Sequence, residues 1–331
     1  MKHNESSEKK KKFKLFDMNR DGKGVYEHED RKPTLKFFFK LIRRKFSQLL
    51  QLNLLMLFQV IPLLVILGLY LMGTKTQSAT STLYAPLYGI SKILPSAEIV
   101  IKLDLAGIQM ELPVFSTGVN ITILCLLIFL AVTFGWQNTG SAYVLRGLFR
   151  GDAVFVFSDY FYGIKRNMKQ AFFLGLLDFV CCAVLVIDFI FFYFRTGSFG
   201  ADFMYFAIFA LALIYIAMRF YLYQLLVTFD LSNFKILKNA LIFSILGIKR
   251  NLMAFLGLIV VYGLNFLLIL LTVPRGFSLF VVLPLVYIMA LTGFIATYAA
   301  YPVIDRYMIA PYAKPEAQAE EEPDTGDAGE N

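Results

Sequence analysis

QAFFLGLLDFVCCAVLVIDFIFFYF (Gln170–Phe194), then RTGSFGADF (Arg195–Phe203), then MYFAIFALALIYIAMRFYLYQLLVT (Met204–Thr228), decide the fold of this chain. The first and third stretches are apolar runs of 25 residues each, broken only by Asp178 and Asp188 in one and Arg219 in the other. About 20 apolar residues in helical form cross the hydrocarbon core of a bilayer. A short polar linker carrying Gly197 and Ser198 lets the two runs return on each other as a hairpin.

Four more runs of the same kind flank this pair. The six spans are expected at 48–72, 119–139, 170–194, 204–228, 252–273 and 278–301. Composition agrees: 58% of the 331 residues are hydrophobic and 17% are charged, against about 25% charged in soluble domains. The fold class is therefore all-α, a polytopic membrane helix bundle. More than 30 polar, lysine-rich residues precede the first run, so the first span is expected to serve as its own insertion signal, with no cleaved leader expected.

Basic residues set the expected orientation. Lys9 to Lys12, Lys14, Lys36, Lys40, Arg43, Arg44 and Lys45 precede span 1. Arg146, Arg150, Lys165, Arg166 and Lys169 follow span 2, and Lys235, Lys238, Lys249 and Arg250 follow span 4. The alternate loops hold only Lys75, Lys92, Lys102, Arg195 and Arg275. The positive-inside rule then places both termini in the cytoplasm of a cell bounded by this membrane. The net charge of +8 points to a bilayer with anionic head groups as partner, and no basic patch interleaved with aromatics points to nucleic acid.

Three regions follow: a polar N-terminal segment 1–35, a membrane domain 36–310 with an outside segment 73–118, and an acidic tail 311–331 expected to be disordered. A helix is expected from about Thr34 into span 1, with Lys36, Lys40, Arg43 and Arg44 in the interface and Phe37, Phe38 and Leu41 toward acyl chains. In the outside segment, the alternation Ile99 to Leu105 followed by I-Q-M-E-L predicts a short hairpin. Gly163-Ile-Lys-Arg-Asn167 before span 3 recurs as Gly247-Ile-Lys-Arg-Asn251 before span 5, which suggests two parallel helical-hairpin units. Cys125, Cys181 and Cys182 lie in spans without disulfide or metal spacing and read as small apolar residues.

A charge inside a membrane normally finds a partner. Asp178 and Arg219 lie at equal distances from the Gly197–Ser198 turn, so they are expected to meet as a buried pair. Tyr215, Gln224 and Asn265 are the secondary polar positions, with Asp188 nearer the outer interface. Tyr262, Thr292 and Thr297 are expected to hydrogen-bond between helices. Pro62 and Pro284 are expected to kink spans 1 and 6. Catalysis finds no support. His3 and His28 both lie in the N-terminal segment, Asp178 and Asp188 are too far apart along one helix for a carboxylate dyad, and no nucleotide or zinc motif occurs. Asp17-x-Asn19-x-Asp21-Gly22 opens like a calcium loop, but His28 stands where the bidentate Glu belongs. No cofactor is expected.

YVLRGLFRGDAVFVFSDYFYGIKRNMKQ (Tyr143–Gln170) resembles the central signature of the YesL-like family, bacterial membrane proteins found mostly in Firmicutes. FDMNRDGKGV (Phe16–Val25) and LNLLMLFQVIP (Leu52–Pro62) resemble its N-terminal motif and first span. The cytoplasmic motif residues are Arg146, Ser158, Asp159, Lys165, Asn167 and Gln170. The resemblance implies a non-enzymatic accessory or regulatory partner of a carbohydrate uptake system, with carbohydrate ABC transporter subunits as partners. The alternative is a small solute transporter or channel, which requires a water-filled cavity at Asp178, Arg219, Tyr215, Gln224 and Asn265.

Overall fold

The computed structural model describes residues 33–72, 74–77, 111–193, 195, 197–277 and 279–312. Residues 99–110 of the expected hairpin, the Asp17–Gly24 turn and the tail from residue 313 lie outside them. Six helices are long and apolar enough to cross a membrane, and they pack as one all-α bundle.

The chain runs through α1 (Leu35–Met72), β1 (Thr74–Gln77), β2 (Glu111–Val114), α2 (Thr117–Arg150), α3 (Val156–Arg166), α4 (Met168–Tyr193), α5 (Phe199–Thr228), α6 (Asn233–Leu246), α7 (Ile248–Thr272), α8 (Leu279–Val282) and α9 (Ile288–Ile304). β1 and β2 pair antiparallel in the register Thr74↔Val114 to Gln77↔Glu111. Glu111 and Leu112, from the stretch expected to turn back on Ile99–Leu105, thus pair with Gln77 and Thr76 respectively. α2, α5 and α9 pack against one another at the centre, and α1, α4 and α7 pack around them.

Local chemistry sets the helix ends. The Ser116 hydroxyl accepts from Val119 N–H at the start of α2, and Ser198 does the same for Ala201 N–H at the start of α5. α2 stops at Gly151, whose φ of 80° lets its N–H and that of Asp152 close back on the last turn. The hairpin between α4 and α5 turns at Gly197 (φ 120°), whose N–H donates to Asp202 Oδ1 at 3.2 Å.

Two apolar clusters hold the bundle. One joins α5, α6, α7 and α9 around Tyr221, Leu225, Ile236 and Ala300. The other joins α1, α2, α3 and α9 around Leu41, Leu52, Val144, Val156 and Phe294. Outside these, large apolar side chains such as Phe206, Leu252, Ile259 and Phe266 are exposed around the perimeter, as a lipid-facing surface requires. α2 and α4 approach most closely at two glycines. A Cβ on Gly175 would lie 2.1 Å from Gly135 Cα, and one on Gly135 would lie 1.9 Å from Ala171 O. Such small-residue contacts bring backbones together where no hydrophobic effect drives helix association.

Several expectations are corrected. Leu41 and Phe38 do not face acyl chains: Leu41 is buried, and Phe38 stacks on Phe294 at 5.7 Å and meets Tyr298 edge-on at 5.0 Å. The aromatic face of the first turns of α1 is consumed by α9, while Lys36, Lys40, Arg43 and Arg44 stay exposed. Span 6 is not one helix from 278 to 301. It breaks at Pro284 into α8, a 3-10 turn at Leu283–Val286 and α9, and continues through π-helical Asp305–Ile309. Pro62, by contrast, lies within the uninterrupted α1. Thr292 donates within its own helix, to Met289 O, and Tyr262 is exposed.

Candidate functional site: a saturated intramembrane carboxylate

α5 carries Tyr215, Arg219 and Tyr223 at four-residue spacing, which puts all three on one face. That face meets Asp178 of α4. Tyr215 donates its hydroxyl to Asp178 Oδ1 at 2.8 Å, and Tyr223 donates to Oδ2 at 2.7 Å. Arg219 Nε lies between them, 2.9 Å from Oδ1 and 3.1 Å from Oδ2. Cys182, one turn along α4, points its thiol at Oδ1 from 3.6 Å. The Asp178 side chain is 0% exposed and that of Arg219 is 30% exposed. The guanidinium also sits 5.4 Å from the centroid of the Phe134 ring on α2.

Asp178 and Arg219 therefore meet as a pair, as expected, and Tyr215 joins them. Tyr223 and Cys182 were not among the sequence candidates. The signal for Tyr223 was the tyrosine–arginine–tyrosine spacing on α5 opposite a single acid. An ionised carboxylate only accepts, and both oxygens here are engaged by protein donors. The carboxylate locks the register of α4 against α5.

The other polar positions form separate clamps. Gln224 donates to Thr297 Oγ1 at 2.9 Å, tying α5 to α9, while its own Oε1 is buried without a partner. Tyr221 donates to Asn251 Oδ1 at 2.7 Å, and Asn251 donates to Ser244 O at 2.8 Å, joining α5, α7 and α6. Tyr287 donates to Asn265 Oδ1 at 2.6 Å. Asn53 was overlooked in the sequence. Its amide spans the break in span 6, donating to Leu285 O at 2.6 Å and accepting from Ala290 N–H at 3.0 Å. Two backbone groups left open at the helix break thus regain partners, as apolar surroundings demand. Asp188 is half-buried, and among the described residues no hydrogen bond to it is found.

The six motif residues lie at the basic end of the bundle. Arg146 Nη1 donates to Val227 O at 2.5 Å and to Thr228 Oγ1 at 3.3 Å, capping the last turn of α5. Gln170 Nε2 donates to Leu231 O in the α5–α6 linker. Asp159 accepts from Phe155 N–H at 2.8 Å, and Asn167 donates to Gly163 O at 3.0 Å. Ser158 and Lys165 are exposed. In α3, Tyr160 packs against Gly140. Burial pushes its phenol well above the ordinary range, against an opposing pull from a hydrogen bond with Ser141. Among the described residues, no three His, Cys, Asp or Glu side chains gather as metal ligands would.

Fold and site together define a multi-pass helical membrane protein with a register-locking buried ion pair. Comparison with protein-family models, curated proteins and solved structures found no match to the chain.

Proposed function

We propose that this protein is a non-enzymatic accessory component of a carbohydrate uptake system, a YesL-like protein of the cytoplasmic membrane of a Gram-positive bacterium. Both termini face the cytoplasm, a placement supported by the Lys and Arg bias of the loops. The observation that carries the accessory role is the saturated Asp178 carboxylate. A transport site must release its ligand and exchange its hydrogen bonds, whereas this acid is buried and held by Tyr215, Arg219 and Tyr223 at once. The intramembrane charge then serves assembly of the bundle, and function moves to its surfaces. The carbohydrate assignment rests on the resemblance of Tyr143–Gln170 alone, which is an associational support.

The test is purification of the tagged protein from its native host in mild detergent, with mass spectrometry of what accompanies it. Recovery of carbohydrate permease or solute-binding subunits is the expected result. A partner-free preparation that moves sugar into proteoliposomes, and loses that activity on Asp178→Asn, would replace the accessory role with autonomous transport.

A further inference from the structure

The two copies of the Gly-Ile-Lys-Arg-Asn motif end differently. In the second, a Cβ on Gly247 would lie 2.1 Å from the Tyr221 hydroxyl, and Asn251 is 2% exposed and consumed by Tyr221 and Ser244. That junction is filled. In the first copy the junction between α3 and α4 opens into a cleft of about 620 Å³, bounded by residues 165–170 on one side and by the end of α5 on the other.

Three cations line this cleft, Lys165, Arg166 and Lys169, against one acid, Asp230. Among the described residues, none of the four belongs to an ion pair. The walls are stapled. Arg146 holds Val227 O from α2, and Gln170 reaches from α4 to Leu231 O beyond the end of α5. The cleft therefore keeps its width without a ligand. Because α4 and α5 are long and apolar beyond this point, a bilayer spanned by them would place the cleft near its head groups.

We propose that this cleft binds a phosphate group, carried by an anionic lipid head group or as a free anion. Lysines beside an arginine match phosphate chemistry: the guanidinium grips two oxygens through paired N–H groups, and the ammonium groups supply compact charge. Basic pockets between membrane helices are a recurrent form of head-group site.

The test uses the full-length protein in neutral detergent. Native mass spectrometry counts retained phosphatidylglycerol against phosphatidylcholine, and calorimetry reads inorganic phosphate. Each cation beside a bound anionic head group contributes about fivefold to its affinity, so Lys165→Gln/Arg166→Gln/Lys169→Gln is expected to weaken binding at least ~10-fold. Lys235→Gln/Lys238→Gln/Lys249→Gln removes the same charge from exposed sites at the same end and is expected to change binding less than ~2-fold. Asp230→Asn should tighten binding severalfold, which a purely structural role for the cleft would not produce. All seven positions are at the surface, and size-exclusion profiles check that each variant folds. Saturable inorganic phosphate binding identifies a free anion. Phosphatidylglycerol retained against excess phosphate identifies a head group. Equal losses in the two triple variants, or no binding of either probe, would overturn the proposal.

Discussion

Replacing Asp178 with leucine should cost more than replacing its ionic partner, and the asymmetry follows from the hydrogen bonds. Asp178→Leu removes the acceptor for Arg219 Nε and for the hydroxyls of Tyr215 and Tyr223. Breaking a buried pair costs about 3–5 kcal/mol, and each stranded hydroxyl adds about 1 kcal/mol. The expected loss is roughly 5–7 kcal/mol. Arg219→Leu leaves a carboxylate that keeps both tyrosine donors, so the expected loss is smaller, about 2–3 kcal/mol. The double variant removes both charges and strands only the two hydroxyls. It should be about 3 kcal/mol more stable than Asp178→Leu alone. Unfolding in mixed dodecylmaltoside–SDS micelles reads these differences. Trp136 is the single tryptophan, and its indole N–H donates to Met168 O at 3.0 Å across the α2–α4 contact, so its fluorescence reports separation of those helices. The reasoning fails if Arg219→Leu costs as much as Asp178→Leu, or if the double variant gains nothing over the latter.

Gly175→Val must push α2 and α4 apart and should lower stability by at least about 2 kcal/mol, whereas Gly257→Ala, facing Ile295 at an ordinary 3.5 Å, should be nearly neutral in the same unfolding assay. Asn53→Leu should strand Leu285 O and Ala290 N–H at a cost of about 2 kcal/mol, seen as faster amide exchange at Ala290 than in wild type. Unchanged exchange there would mean that the helix break supports itself. In a background lacking Cys125, Cys181 and Cys182, cysteine at Ser158 should label only from the cytoplasmic face and cysteine at Ser91 only from the outside; the reverse pattern would invert the orientation.

Hydropathy alone marked all six spans, because a bilayer leaves a spanning segment no choice but a long apolar helix. The starting point of α1 and the Asp178–Arg219 pairing were also legible. A tight hairpin fixes which depths on α4 and α5 face each other, and an intramembrane charge seeks the only opposite charge within reach. Tyr223, Cys182, Asn53 and the Gly135–Gly175 contact were not legible. Each depends on helix rotation and on which helices become neighbours, and a nearly uniform apolar surface carries little information about either. The role of Phe38 and Leu41 was misread for the same reason, since an aromatic face suits lipid and a neighbouring helix equally well. Sequence by itself determined that this chain lives in a membrane and how many times its helices can cross. Only the tertiary structure decided that the buried acid is fully occupied, that Asn53 repairs the break at Pro284, and that one of two matching junctions is filled while the other stays open. Side-chain packing across helices distant in sequence sets those outcomes, and local composition does not encode it.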